Sequence, residues 1–127
     1  MNMKQIKVSE ATGPALDWLV ATCEGYTEYD PETDKLLPPR KEYGWVSLFD
    51  LNYSTDWSQG GPIIEKLRSE SHHSFLVESD GANVHTLSWP SPHVFHRGYG
   101  PTLLIAAMRC RVVSKLGETA EVPEELV

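Results

Sequence analysis

Three glycine–proline pairs set the outline of this chain. Gly13-Pro14, Gly61-Pro62 and Gly100-Pro101 each stand ahead of a run with helical apolar spacing. Proline's φ is preset for a first helical turn, and its missing N–H costs nothing there. Each pair therefore reads as a loop-to-helix junction. After Pro14 come Leu16, Leu19, Val20 and Cys23, and Gly25 supplies a stop, which predicts a helix over 14–24. The second helix opens at Gly60-Gly61-Pro62, with Ile63, Ile64 and Leu67 as its apolar stripe and Ser54, Asp56 or Ser58 as its cap. The third begins at Gly100-Pro101-Thr102, runs to about Leu116 and stops at Gly117.

Strand signals fill the spaces between these helices. Residues 3–8 alternate apolar and polar side chains. Residues 45–49 form a short strand candidate. Residues 74–78 and 83–89 flank Asp80-Gly81, a hairpin signal. Residues 26–44, with Pro31, Pro38 and Pro39, and residues 90–100, with Pro90 and Pro92, read as loops. The first of these is either a mobile flap or a plain surface excursion. The acidic tail, 118–127, is expected at the surface. Strand, helix, strand, helix, hairpin, helix is the order of an α+β domain: a small antiparallel sheet with three helices packed on it, in a single unit over 1–127.

Charge and composition exclude several classes of function. The formal net charge is −7, which argues against coating polymeric nucleic acid or an anionic membrane. A small anion held in one local pocket is still compatible. No apolar run approaches the ~18 residues of a membrane span. Two cysteines, Cys23 and Cys110, and no leader-like segment read as a reduced, cytosolic protein.

Few residues suggest chemistry. Arg97, then Gly98-Tyr99-Gly100-Pro101-Thr102, places a cation, glycines and a hydroxyl at a helix start, an arrangement suited to phosphate or carboxylate. The same residues also make an ordinary junction. Arg109 has Ile105, Ala106, Val112 and Val113 at helical spacings, so it is expected to be partly buried and to need a partner. That partner is either internal, with Asp56 the candidate, or a ligand phosphate. Arg111, beside Ala107, Met108, Ser114 and Lys115, is expected to face solvent. Tyr53-Ser54-Thr55-Asp56-Trp57 is either a base-stacking and edge-reading group or a capped helix start with Trp57 in the core. The histidines His72, His73, His85, His93 and His96 show no metal-ligand spacing. No nucleophile motif is present either. No metal, no cofactor and no catalytic role is expected.

Several stretches carry a family resemblance: IKVSEATGPALDWLVATCEG at 6–25, YSTDWSQGGPIIEK at 53–66, GYGPTLLIAAMRCRVVSKLG at 98–117 and EVPEEL at 121–126. Together they resemble the lambdoid-phage NinX family, which implies a small accessory protein made in the host bacterial cytoplasm. The YSTD helix start, two strands and a T-x-L-I-A-A-M helix are also similar to phage α-β-α sandwich proteins. They are similar as well to the anti-Thoeris sponges, which bind cyclic ADP-ribose or cyclic nucleotide signals without cleaving them. That second resemblance implies a counter-defence role, a homo-oligomer, and ligand contacts at Trp57 and Arg109. The expected ligand-binding set is Tyr53, Ser54, Asp56, Trp57, Arg97, Gly98, Gly100, Thr102 and Arg109. The other classes of function open to the sequence are an acidic protein–protein adaptor and, last, a nucleotide-cleaving enzyme.

Overall fold

A computed structural model of the chain describes residues 2–38, 42, 44–71, 74–79, 81, 83–91 and 94–127. Among these residues it is an α+β fold of three α-helices and three small antiparallel sheets. The helices are α1 (Gly13–Cys23), α2 (Trp57–Glu70) and α3 (Leu103–Leu116). The strands are β1 (Met3–Lys7), β2 (Thr27–Asp30), β3 (Lys35–Leu37), β4 (Val46–Ser47), β5 (Ser74–Ser79), β6 (Val84–Ser91), β7 (Val94–Gly100) and β8 (Thr119–Pro123). Strands β1 and β8 pair with each other, β2-β3-β4 form a second sheet, and β5-β6-β7 form a third.

Helix α3 is the centre of the molecule. Ala106 to Val112 are all buried, so the helix is covered on every side. One face, Ala106 and Cys110, meets β7 at Gly98. A Cβ at Gly98 would overlap the Ala106 carbonyl oxygen and the Cys110 amide nitrogen, so strand and helix touch backbone to backbone. Thr86 of β6, fully buried, donates its hydroxyl to the Ala106 carbonyl at 3.1 Å and reinforces the same contact. The opposite face of α3 meets α1 and α2. There Leu104 packs on Gly60, and Arg111 reaches both helix ends. Leu16, Leu19 and Val20 of α1, Ile63 and Leu67 of α2, and Met108 and Val112 of α3 join one core with Val8, Leu36, Leu48 and Val122.

Several sequence expectations change here. Only the first Gly-Pro pair opens a helix. Helix α2 starts at Trp57, and Pro62 lies inside it, because the Asp56 carboxylate caps the earlier turn by accepting the Ser58 amide at 2.9 Å. Gly100 closes β7, and Thr102 caps α3 by accepting the Ile105 amide at 3.2 Å. Residues expected as the 26–44 loop contain the β2–β3 hairpin, held at its turn by the Tyr29 hydroxyl donating to Asp34 at 2.7 Å; residues 39–41 and 43 lie outside the described set. The expected 90–100 loop is largely strand, with Pro92 outside the described set. The acidic tail forms β8 and buries Val122 against the core, because its apolar alternate residues pair with β1 from Met3↔Pro123 to Lys7↔Thr119.

Arg111 is buried rather than solvent-facing. It donates to Glu70 at 2.7 Å and to Glu24 at 3.3 Å. Glu24 caps the C-terminus of α1 and Glu70 is the last residue of α2. Two helix C-termini and two carboxylates therefore converge on one guanidinium.

The Gly98 contact predicts a sharp contrast between two glycines. Gly98→Ala should cost about 3 kcal/mol, since the two nearest neighbours are backbone atoms. Gly61→Ala, where an added Cβ meets nothing within 4 Å, should stabilise α2 by about 0.5–1 kcal/mol. Urea midpoints of the two variants measure both effects.

Candidate ligand-binding cleft

The parity of β7 generates the site. His96, Gly98 and Gly100 turn toward α3, while Phe95, Arg97 and Tyr99 are exposed. The Arg97 guanidinium lies 5.7 Å from the Phe95 ring centroid and 5.5 Å from that of Tyr99, and it donates to the Tyr99 hydroxyl at 2.5 Å. His85 of β6 packs edge-on against Tyr99, with centroids 4.4 Å apart. An aromatic and cationic ladder thus runs along one edge of the third sheet.

A cleft of about 730 Å³ lies between this strand, the C-terminal half of α3 and the β1/β8 pair. Phe95, Arg97 and Tyr99 form one wall. Arg109 and Val113 of α3, Lys7 and Ser9, and Gly117 to Thr119 stand across from it, with His96 and Gly98 also in the lining. Gly117 takes φ +94°, a conformation that glycine adopts freely, and so turns the chain from α3 into β8 at the cleft's rim. Three cations line the cleft, and Glu118 is the acidic residue among its described lining.

Arg109 is the buried one of these cations, 8% exposed. Its Nε donates to the Ala11 carbonyl at 3.0 Å and its Nη1 to the Tyr99 carbonyl at 2.8 Å. Burial lowers its pKa from the usual arginine value. Among the described residues no carboxylate pairs with it. The expected partner Asp56 is elsewhere, capping α2, where the Ser58 hydroxyl and amide hold its carboxyl below the usual range. Arg109 thus keeps a positive charge that two carbonyl oxygens orient but do not neutralise.

Of the nine residues expected at a site, the cleft gathers Arg97, Gly98 and Arg109. Gly100 packs on Ile105 and Ala106, and Thr102 caps α3. Tyr53, Ser54, Asp56 and Trp57 form a separate group at the start of α2. Tyr53 and Ser54 are buried, and Trp57 is 57% exposed rather than in the core. The Gln59 amide ties this group to the preceding segment by donating to the Asp50 carbonyl at 2.9 Å and accepting the Asn52 amide at 2.8 Å. Sequence reading missed Lys7, Ser9, Phe95 and Tyr99. The signal was the two-residue period of Phe95, Arg97 and Tyr99 against Gly98 and Gly100, hidden by reading 90–100 as a loop.

Burial pushes both thiols, Cys23 and Cys110, up to about 11, so they are protonated at neutral pH. His72, His73 and His93 lie outside the described residues. Among the described residues no three His, Cys, Asp or Glu side chains group as metal ligands. No helix among them is long and apolar enough to cross a membrane.

Fold and cleft together define an α+β protein with an aromatic, cation-lined cleft against a central buried helix. The family model described as "Bacteriophage P22, NinX" matches residues 7–115, and the chain belongs to that phage family. Among the curated proteins no relative matches significantly.

Asp17 ties α1 to the 53–56 turn by accepting the Ser54 amide at 2.9 Å. Burial raises its pKa above 3.8, outweighing the Ser54 hydrogen bonds. A folded pKa above the unfolded one contributes stability that is complete below 3.8 and is lost as pH rises through the folded value. Asp17→Asn should therefore flatten the pH dependence of the urea midpoint from just below 3.8 upward. A midpoint that still falls by the wild-type amount over that window would refute the assignment.

Proposed function

We propose that this phage protein acts in the host cytoplasm as a counter-defence sponge. It binds a small cyclic nucleotide or cyclic ADP-ribose immune signal in the cleft and releases it uncleaved. The observation that carries the reading is Arg109: a buried guanidinium oriented by two carbonyls, with no carboxylate on it among the described residues, at the wall of an aromatic-lined cleft. A phosphate is the anion whose geometry suits such a donor fork. Lys7 and Arg97 add charge, Ser9 adds a hydroxyl, and Phe95 and Tyr99 offer faces on which a base stacks. A volume near 730 Å³ is of the size that holds small-molecule ligands. Sequestration asks only for affinity, so orientation and charge are sufficient. No residue of 26–44 is among the described lining, so this reading does not use that segment as a lid.

A second reading, an acidic adaptor, draws on a different surface. Trp45, Phe49 and Trp57 are exposed, and Asp50 and Asp56 lie among them in sequence. Aromatic anchors with an acidic rim suit a basic protein partner.

The test is to load the purified protein with cyclic nucleotides and cyclic ADP-ribose isomers, remove free ligand, denature by heat and analyse the release. Intact release of one compound is expected. Arg97→Gln, an exposed change that leaves the melting temperature in place, should weaken retention by about tenfold or more, as loss of a charge-assisted bond does. Release of a cleaved product would make the protein an enzyme. Retention of nothing, with stoichiometric recovery of one host protein instead, would favour the adaptor.

A further inference from the structure

The β5-β6-β7 sheet has two edges, and the protein treats them differently. On β7 the Tyr99 carbonyl accepts from Arg109, the His96 carbonyl accepts from the Cys110 thiol at 3.7 Å, and the strand's free side lines the cleft. Two carbonyls of that strand are thus taken up by α3 side chains. On β5, among the described residues, the only strand partner is β6. Leu76 is 44% exposed and Val77 49%. Neighbours along a strand point to opposite faces, so β5 shows apolar surface on both, even though Phe75 packs against the core.

Glu78, near the end of the strand, is the one edge-protecting residue in β5. The strand's sequence, SFLVES, holds no proline and no lysine, and its register with β6 runs unbroken from Ser74↔Trp89 to Ser79↔Val84. A regular edge that carries no second strand among the described residues and exposes Leu76 and Val77 is a template for another strand. We propose that a second copy of this chain supplies it, β5 to β5 about a two-fold axis, making one continuous six-stranded antiparallel sheet.

Symmetry and side-chain pattern select both the partner and the register. A two-fold axis perpendicular to the sheet pairs only residues of the same face. Centring it on Leu76 sets Leu76 against itself, Phe75 against Val77, and Ser74 against Glu78. Glu78, the strand's one charged residue, then faces a serine position and never its own copy. Centring on Val77 instead would set Leu76 against Glu78 and Phe75 against Ser79, matching apolar with polar residues. The Leu76 register is self-complementary, which a one-sided binding edge has no need to be. Each copy keeps its own cleft, because the cleft lies along β7 at the far side of the sheet. The inference is independent of what that cleft holds.

Sedimentation of the full chain at micromolar concentration tests it. The expected species has twice the 14.3 kDa chain mass. Leu76→Lys places like charges on the axis and should weaken association by more than about a hundredfold, leaving a monomer with native circular dichroism. Leu76→Cys in a Cys23→Ser background should cross-link to itself under mild oxidation, because directly opposed strand residues lie within disulfide reach. Glu121→Cys in the same background, on β8, should not. A wild-type monomer, a dimer indifferent to Leu76→Lys, or equal cross-linking at both cysteines would overturn the proposal. Should the lysine variant fail to fold, the two cysteine variants decide.

Discussion

Strand β7 lies on α3 with no side chain between them at Gly98, and the placement of most other elements follows from that contact. The distance between a strand and a helix is normally set by the side chains of both. Here one partner contributes none, so the sheet comes close enough for Thr86 to hydrogen-bond the helix carbonyl at Ala106. Gly100 repeats the arrangement one β-period on, against Ile105 and Ala106. Pulling β7 inward sends its other residues outward. Phe95, Arg97 and Tyr99 leave the core because His96, Gly98 and Gly100 enter it, and the cleft wall is a by-product of the packing.

The two arginines of α3 show how one helix holds two buried cations in opposite ways. Arg109 and Arg111 are two residues apart and so project from different faces. Both are buried. Arg111 sits where the C-termini of α1 and α2 meet and is neutralised by Glu24 and Glu70, with Lys66 and Lys115 closing the network. Removing it would leave Glu24, a largely buried carboxylate, with less compensation. Arg109 instead rests on two carbonyls, which fix its plane without cancelling its charge. A buried guanidinium so arranged is costly to fold around, and an anion entering the cleft would relieve that cost.

Apolar periodicity made the helices legible, because their stripes serve the core and little else. Leu16, Leu19 and Val20 are fully buried as their spacing implied. The α+β class was legible on the same grounds, and the antiparallel pairing of β5 with β6 from the strand-like runs on either side of Asp80-Gly81, of which Asp80 lies outside the described residues. Start points were not. Gly-Pro looked like a single signal, yet it opens α1, lies within α2 and precedes the cap of α3. What decides is where the first side-chain cap forms, and Asp56 and Thr102 took that role. Arg111 was misjudged for a related reason. Its neighbours within α3 said little, since its partners come from the ends of two other helices. The cleft was legible only in Arg97, Gly98 and Arg109. Lys7 and Ser9 reach it from the opposite end of the chain through the pairing of β1 with β8, a long-range contact that local pattern does not encode.

That pairing also gives the acidic tail a structural purpose. Were residues 118–127 free, Val122 would be in water, and β1 would be an unpaired strand presenting its backbone to solvent. Closing β8 on β1 buries Val122 and carries Glu118 and Thr119 to the rim of the cleft. The acids alternate outward at Glu121 and beyond, where they are solvated and account for part of the net charge of −7. The negative surface and the positive cleft are therefore separated by strand parity and helix face rather than by domain. An anion approaching this protein meets repulsion that salt screens at long range, then a pocket whose charges act at contact distance, where screening is weak.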